Sequence, residues 1–190
     1  MEKRVEKRRF QLSEFREEAE WLAAMQKQGW KFVSTDGRSY EFASCKKEEW
    51  SYQLDFKEDG AVDADYIQLF YDYGWEYVFH YGKWFYFRKK KVEGEENDVS
   101  IFSDNESKAE MCKRVMNGQF LRIIPLYLIM LAYDYFTFFT DVFRGDTFWN
   151  GLAQGIGIGL MLVVAFGFGV FIREYLKLNT MLKSFQQLEK

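Results

Sequence analysis

One histidine and two cysteines are the residues of this 190-residue chain that most readily support nucleophilic, acid–base or metal chemistry. His80 lies between Phe79 and Tyr81 in an aromatic run typical of a strand, with no cysteine or carboxylate motif beside it. Cys45 and Cys112 are far apart and match no metal-ligand spacing, so we interpret them as free, partly buried thiols. This pattern predicts a packing or surface role for His80 and no catalytic, cofactor-binding or metal-binding residues.

Paired carboxylates are another common source of acid–base chemistry. Asp63 and Asp65 stand at the start of one predicted helix, and Glu17 and Glu18 are adjacent on another. Negative charge at such positions interacts favourably with a helix N-terminus or with water. The pairs are therefore weak evidence for general acid–base catalysis, and we predict that the protein is not an enzyme.

A run of four basic residues ends a predicted strand: Arg88, Lys89, Lys90 and Lys91. Beside an anionic membrane surface each such charge contributes on the order of 1 kcal/mol, so lipid headgroup contact is one interpretation. A solvated strand end that discourages edge pairing is the other. The net charge of −3 argues against general nucleic-acid binding.

Two long apolar stretches follow, at about residues 120–139 and 148–172. Each matches the roughly 20 residues that cross a bilayer, and this predicts a two-span transmembrane hairpin. Lysine and arginine are concentrated before the first span and after the second, whereas the connecting turn contains only Arg144. By the positive-inside rule both termini are expected in the cytoplasm, which predicts a multi-pass protein of the cell membrane.

Asp134 is a carboxylate within the first predicted span, and Gln154 lies at a similar depth in the second. An ionisable residue inside a membrane is a candidate functional residue, and Gln154 is its natural partner. Alternatively, the span ends early and Asp134 lies among the headgroups.

Three glycines recur every four residues in the second span, at Gly151, Gly155 and Gly159. This spacing places them on one helix face and predicts close helix packing. The partner is either the first span or the same helix of a second chain, as in a homodimer.

The first half of the chain contains an internal repeat. The segment Trp21–Phe42 aligns without gaps with Tyr66–Phe87, at an offset of 45 residues. In both, apolar residues at helical spacing end at a glycine and are followed by an aromatic hairpin broken by a second glycine. Residues alternate in polarity at 50–56, which predicts a strand before the second helix, and 10–12 is the weaker counterpart before the first.

The predicted unit is therefore strand, helix, strand, strand, present twice. It favours an α+β domain with two helices on one face of an antiparallel sheet. The expected organisation is a cytoplasmic duplicated domain at 1–92, a connector and linker helix at 93–119, the transmembrane hairpin at 120–172 and an amphipathic cytoplasmic tail helix at 173–190.

Three segments, GWKFV, GKWFYFRKK and IFSDNESKAEMCKR, resemble the bacterial family catalogued as domain of unknown function 2812, over about residues 8–116. The resemblance implies a Gram-positive cytoplasmic membrane and a link to PadR-like transcription regulators, but no activity and no catalytic residues. The leading hypothesis is a membrane-anchored, non-enzymatic binding or sensing module with a protein partner. The alternative is an accessory subunit of a membrane complex that acts through its transmembrane hairpin.

Overall fold

The computed structural model describes residues 2–91, 105–142 and 148–187. Two compact units divide the chain: Met1–Val115 with Met181–Lys190, and Met116–Thr180. The first unit contains the duplicated domain. Both boundaries between the units fall inside helices, α3 (Asn105–Val142) and α4 (Phe148–Gln187), and not in loops.

The first repeat is a strand, a helix and a hairpin. Its elements are β1 (Lys3–Lys7), a 3-10 turn (Leu12–Glu14), α1 (Phe15–Lys27), β2 (Trp30–Thr35) and β3 (Ser39–Ser44). The strands form an antiparallel sheet in the order β1-β3-β2, which we call sheet A.

The second repeat has the same element order. Its elements are β4 (Trp50–Phe56), α2 (Ala64–Asp72), β5 (Glu76–Tyr81) and β6 (Trp84–Lys90). They form sheet B in the order β4-β6-β5, the same topology as sheet A. The predicted strand–helix–strand–strand unit is thus present twice.

Local irregularities recur at the same offset as the sequence repeat. A register shift leaves Val33 unpaired in the first hairpin and Val78 unpaired in the second, as a β-bulge does. Gly29 and Gly74 follow α1 and α2 with φ angles of 98° and 79°, a left-handed conformation that glycine adopts readily. The glycines predicted to end the helices therefore do so.

Two details of the predicted domain are wrong. The strand before α1 lies at Lys3–Lys7 and not at residues 10–12, because Leu12 already begins the 3-10 turn. The six strands also form two separate sheets instead of one sheet with both helices on one face.

The position of α1 explains why the sheets stay separate. The ring of Trp21 lies 5.0 Å from that of Tyr40 in sheet A. On another side of the helix, Phe15 stacks on Trp84 of sheet B at 5.7 Å between ring centroids. Because α1 packs against both sheets, they cannot merge into one layer.

The second helix covers the opposite face of sheet B. Successive strand residues point to opposite faces, so Trp84 and Tyr86 face α1, which defines the front face of sheet B. Phe85 and Phe87 lie on its back face, where Phe70 of α2 packs 4.2 Å from Phe87 between ring centroids.

The long helices α3 and α4 (Phe148–Gln187) occupy the region of the predicted spans. Among the residues that the structure describes, no helix is both long and apolar enough to cross a bilayer. The predicted transmembrane hairpin, with spans at 120–139 and 148–172, is therefore wrong, and so is the multi-pass cell-membrane localisation.

Within the second unit, α3 and α4 meet at a glycine that the sequence pattern did not single out. A Cβ on Gly167 would lie 2.7 Å from the Tyr127 hydroxyl oxygen, whose ring packs 5.5 Å from that of Phe168. Among the described residues, a Cβ at Gly155 or Gly159 would meet no atom within 4 Å.

Three other predicted positions lie outside the described side chains: Gly151, Asp134 and Gln154. Close packing through the face formed by Gly151, Gly155 and Gly159 stays a prediction, as does the pairing of Asp134 with Gln154.

Alanine at the two helix-ending glycines should have unequal effects. A Cβ on Gly29 would lie 3.3 Å from the Cys45 carbonyl oxygen, which is backbone, whereas one on Gly74 would lie 3.3 Å from the movable Lys89 Cε. We expect Gly29→Ala to lower the free energy of unfolding by about 2–3 kcal/mol and Gly74→Ala by about 1 kcal/mol, measured in urea. Equal losses would contradict the role of the Cys45 carbonyl.

Candidate interaction surface

A buried carboxylate joins the two repeats. Glu18 of α1 is 7% exposed, and its Oε1 accepts hydrogen bonds from the hydroxyls of Tyr40 in sheet A (2.8 Å) and Tyr86 in sheet B (2.7 Å). Glu18 was predicted to coat a helix beside Glu17, and this is wrong. It follows Phe15 at helical spacing on the apolar side of α1, the signal that could have predicted its burial.

The electrostatics of this cluster follow from its burial. Loss of hydration raises the pKa of Glu18 above its ordinary value, although the two tyrosine hydrogen bonds act in the opposite direction. Burial and the nearby Glu18 carboxylate raise the pKa of Tyr40 and of Tyr86. The hydroxyls therefore stay protonated as donors, and the cluster is suited to holding the repeats together.

A second buried carboxylate, Asp55 of β4, attaches the start of α3. Its Oδ1 accepts from Arg114 Nη2 at 2.8 Å and its Oδ2 from the Tyr66 hydroxyl at 2.7 Å. Arg114 Nε also donates to the Phe56 carbonyl at 3.1 Å. Every partner in this group is a structural one, so it provides no free acid or base.

The basic run at the end of β6 is held by contacts within the domain. Arg88 Nη2 lies 2.7 Å from Glu76 Oε2, and its guanidinium carbon lies 4.4 Å from the centre of the Trp50 ring. Lys89 and Lys90 bond the Tyr73 carbonyl and Glu48 through their amines, and the Lys91 backbone N–H donates to the Glu49 carbonyl. These contacts hold the strand end within the domain, and lipid headgroup contact by Arg88, Lys89, Lys90 and Lys91 stays a prediction.

A small open pocket of about 190 Å³ lies beside the two β-bulges. Its lining residues come from both repeats: Lys31, Phe32, Val33, Tyr77, Val78 and Arg88. Because Arg88 is already paired with Glu76, the pocket offers a ligand little more than the Lys31 amine and apolar walls.

The other chemistry-bearing residues occupy structural positions. His80 Nδ1 lies 2.8 Å from the Tyr77 hydroxyl, and its ring stacks on Phe85 at 5.4 Å. Both cysteines are free thiols, and burial raises the pKa of Cys112 to about 11. Asp63 caps α2 by accepting from the Asp65 N–H, as its place at a helix start predicts. Across the described residues, no group of three or more histidine, cysteine or acidic side chains has metal-binding geometry.

The largest difference between the repeats lies on their helices. On α1, one stripe of residues faces the front of sheet B and is buried: Glu18, Ala19, Leu22 and Gln26. At the offset of 45 residues, the equivalent stripe on α2 consists of Asp63, Ala64, Ile67 and Tyr71. We call these four residues the α2 stripe. Gln26 is 3% exposed and bonded by the Tyr52 hydroxyl, whereas Tyr71 is 65% exposed.

In the first copy of the repeat, this stripe of the helix is covered by a sheet. In the second copy, no sheet among the described residues covers the α2 stripe. An exposed tyrosine beside a half-buried isoleucine on a rigid helix is the kind of surface that proteins bind. The sequence repeat located both stripes, but it could not show which one the fold covers.

Comparisons with known proteins give one match. A family model described as "Protein of unknown function (DUF2812)" matches residues 14–124. No curated protein matches the chain. No solved structure matches it.

Replacing Glu18 by glutamine should change how stability depends on pH. Because the pKa of Glu18 is raised above 4.5, the folded chain holds a proton that the unfolded chain releases. The stabilisation that this proton gives to the folded chain is present below about pH 4.5 and is lost as the pH rises through the raised pKa of Glu18. The free energy of unfolding of the wild type should therefore fall relative to that of Glu18→Gln across this window, measured by urea denaturation at each pH.

Glu18→Ala separates hydrogen bonding from charge. It leaves the Tyr40 and Tyr86 hydroxyls buried without their acceptor, whereas glutamine keeps an acceptor oxygen. Neither variant titrates at this position, so the free energy of unfolding of Glu18→Ala should lie about 2–4 kcal/mol below that of Glu18→Gln at every pH. Curves for the wild type and Glu18→Gln that run parallel with pH would contradict the raised pKa.

Proposed function

Since the chain belongs to the DUF2812 family of proteins of unknown function, we propose its role from the geometry of its own surface. It is a non-enzymatic module that binds a protein through the α2 stripe. The observation that carries this proposal is the 65% exposure of Tyr71, at a position that is 3% exposed in the first repeat.

The rigidity of the helix supports a binding role. Behind the stripe, Phe70, Trp75, Phe85 and Phe87 form a buried aromatic cluster that fixes α2 on sheet B. Lys89 Nζ donates to the Tyr73 carbonyl at the end of the helix. A stripe held in this way loses little conformational freedom on binding, which favours affinity.

The chemistry of the domain supports a non-enzymatic role. Its two buried carboxylates, Glu18 and Asp55, both bond structural partners, and its histidine bonds Tyr77. A PadR-like transcription regulator, which the family resemblance implies as a linked protein, is one candidate partner to test. The alternative of an accessory subunit acting through a transmembrane hairpin is not retained, because the hairpin is wrong.

Photo-crosslinking tests the α2 stripe directly. Tyr71 and Tyr73 are both exposed tyrosines, at 65% and 67%, but Tyr73 is the C-terminal cap of α2 and does not belong to the α2 stripe. When each is replaced in turn by benzoylphenylalanine in the full chain and the cells are irradiated, position 71 should give discrete protein adducts on a denaturing gel. Position 73 is the matched control and should give few or none.

Equal adduct patterns at the two positions, or no adduct at position 71, would contradict the proposed function. An adduct at 71 whose mass is a multiple of this chain and an adduct with a different protein both support a binding module, and mass spectrometry distinguishes them.

A further inference from the structure

The internal repeat indicates what kind of surface packs on a helix stripe such as the α2 stripe. In the first repeat, α1 is covered by the front face of sheet B through the Glu18–Tyr86 hydrogen bond and the Phe15–Trp84 stack. Sheet B belongs to the next repeat in the chain. The surface equivalent to this front face is the outer face of sheet A, which points away from α1.

The strand registers make this equivalence residue-specific. Lys3 pairs with Ala43 in sheet A, and Tyr52 pairs with Arg88 in sheet B. Because Arg88 follows Ala43 by 45 positions, Lys3 is the counterpart of Tyr52. By the same register Val5 is the counterpart of Leu54.

Continuing the repeat pattern into a second chain gives specific contacts. Tyr52 bonds Gln26 of α1, so its counterpart Lys3 would meet Tyr71, the counterpart of Gln26. A lysine over a tyrosine ring is a favourable cation–π pair. Val5, which is 59% exposed, would add apolar contact with the stripe.

The charges of the two surfaces are complementary overall. The outer face of sheet A contains three lysines and one glutamate: Lys3, Lys7, Lys31 and Glu41. The segment from residue 58 to residue 76, which contains α2, has six acidic residues and no lysine or arginine. Such surfaces attract each other at moderate salt. Two α2 surfaces facing each other would repel.

We propose that the α2 stripe of one chain binds the outer face of sheet A of a second copy of the same chain. This inference rests on the proposed function and names its partner. The contact is head to tail, since the two surfaces differ, so the dimer still presents one free α2 stripe and one free outer face of sheet A, and association continues beyond the dimer.

The interface is weak by its size and composition. α2 has nine residues and is about 14 Å long. A helix of this length buries less surface than the roughly 800 Å² per partner that is typical of a stable interface. Glu41, the counterpart of Tyr86, would also meet Asp63, a like-charge pair that the internal interface lacks. We expect a dissociation constant on the order of 0.1 mM.

Sedimentation equilibrium of the full chain from about 10 µM to about 1 mM covers that constant. The weight-average mass should rise with concentration from 22.8 kDa to beyond twice that value. Tyr71→Lys and Lys3→Glu should each weaken association at least about tenfold. The first sets a lysine against Lys3, and the second removes the cation that packs on the Tyr71 ring and adds a carboxylate facing the acidic α2 segment. Mixing the two variants should restore it, since Lys at 71 meets Glu at 3 and the other two surfaces are intact.

Two exposed positions outside the α2 stripe and outside the strands of sheet A are matched controls: Tyr73→Lys and Lys46→Glu should associate like the wild type. Val5→Asp is a second sheet-side variant and should weaken association as Lys3→Glu does. Circular dichroism and thermal unfolding check that every variant is folded.

A wild type that stays at 22.8 kDa at all concentrations, or association that neither Tyr71→Lys nor Lys3→Glu weakens, would overturn the proposal. So would loss of association in Tyr71→Lys alone without rescue on mixing, which indicates a symmetric helix–helix contact. A monomeric wild type whose position 71 crosslinks to another protein overturns this inference but leaves the proposed function standing.

Discussion

Burial of the Glu18 carboxylate constrains the arrangement of both repeats. A carboxylate removed from water needs hydrogen-bond donors, and here the donors are one tyrosine from each sheet, Tyr40 and Tyr86. Both hydroxyls reach the same oxygen, so α1 has to lie where the two sheets come together. Phe32 fills the space beside it, 0% exposed and 5.1 Å from the Tyr86 ring. One polar contact and one aromatic side chain thus fix how the first repeat packs on the second.

This arrangement makes two similar sequences structurally unequal. Each helix packs against the sheet of its own repeat through aromatic residues, but only α1 is also covered by the sheet of the next repeat. The residues differ accordingly. Gln26 is covered and accepts a hydrogen bond from the Tyr52 hydroxyl, whereas Tyr71 at the equivalent position is exposed. The same carboxylate position has different roles, since Glu18 bonds two tyrosines and Asp63 caps its own helix.

The repeat, its glycine-ended helices and its hairpins could be predicted from sequence because they depend on local signals that recur at a fixed offset. The separation into two sheets could not be predicted, since it depends on α1 packing between them. The residue pattern of a strand does not determine which other strand it pairs with. β1 was missed because KRVEK has one apolar residue, Val5, and alternation is the strand signal. The hairpin prediction rested on the apolar content of residues 120–139 and 148–172, whereas no helix among the described residues is both long and apolar enough to cross a bilayer. The exposure of the α2 stripe could not be predicted for the same reason, because the burial of the equivalent stripe on α1 depends on tertiary packing.

The composition of the two equivalent sheet faces determines how strong each contact is. The front of sheet B presents tyrosine, leucine, phenylalanine and tryptophan to α1, and these large buried surfaces make that contact permanent. The outer face of sheet A has lysine, valine and serine at the same register positions, which keeps it soluble in the absence of a partner. A surface with one exposed valine among charges stabilises a contact only slightly. The same geometry that joins two repeats stably within a chain is therefore suited, with these substitutions, to a contact between chains that forms and separates with concentration.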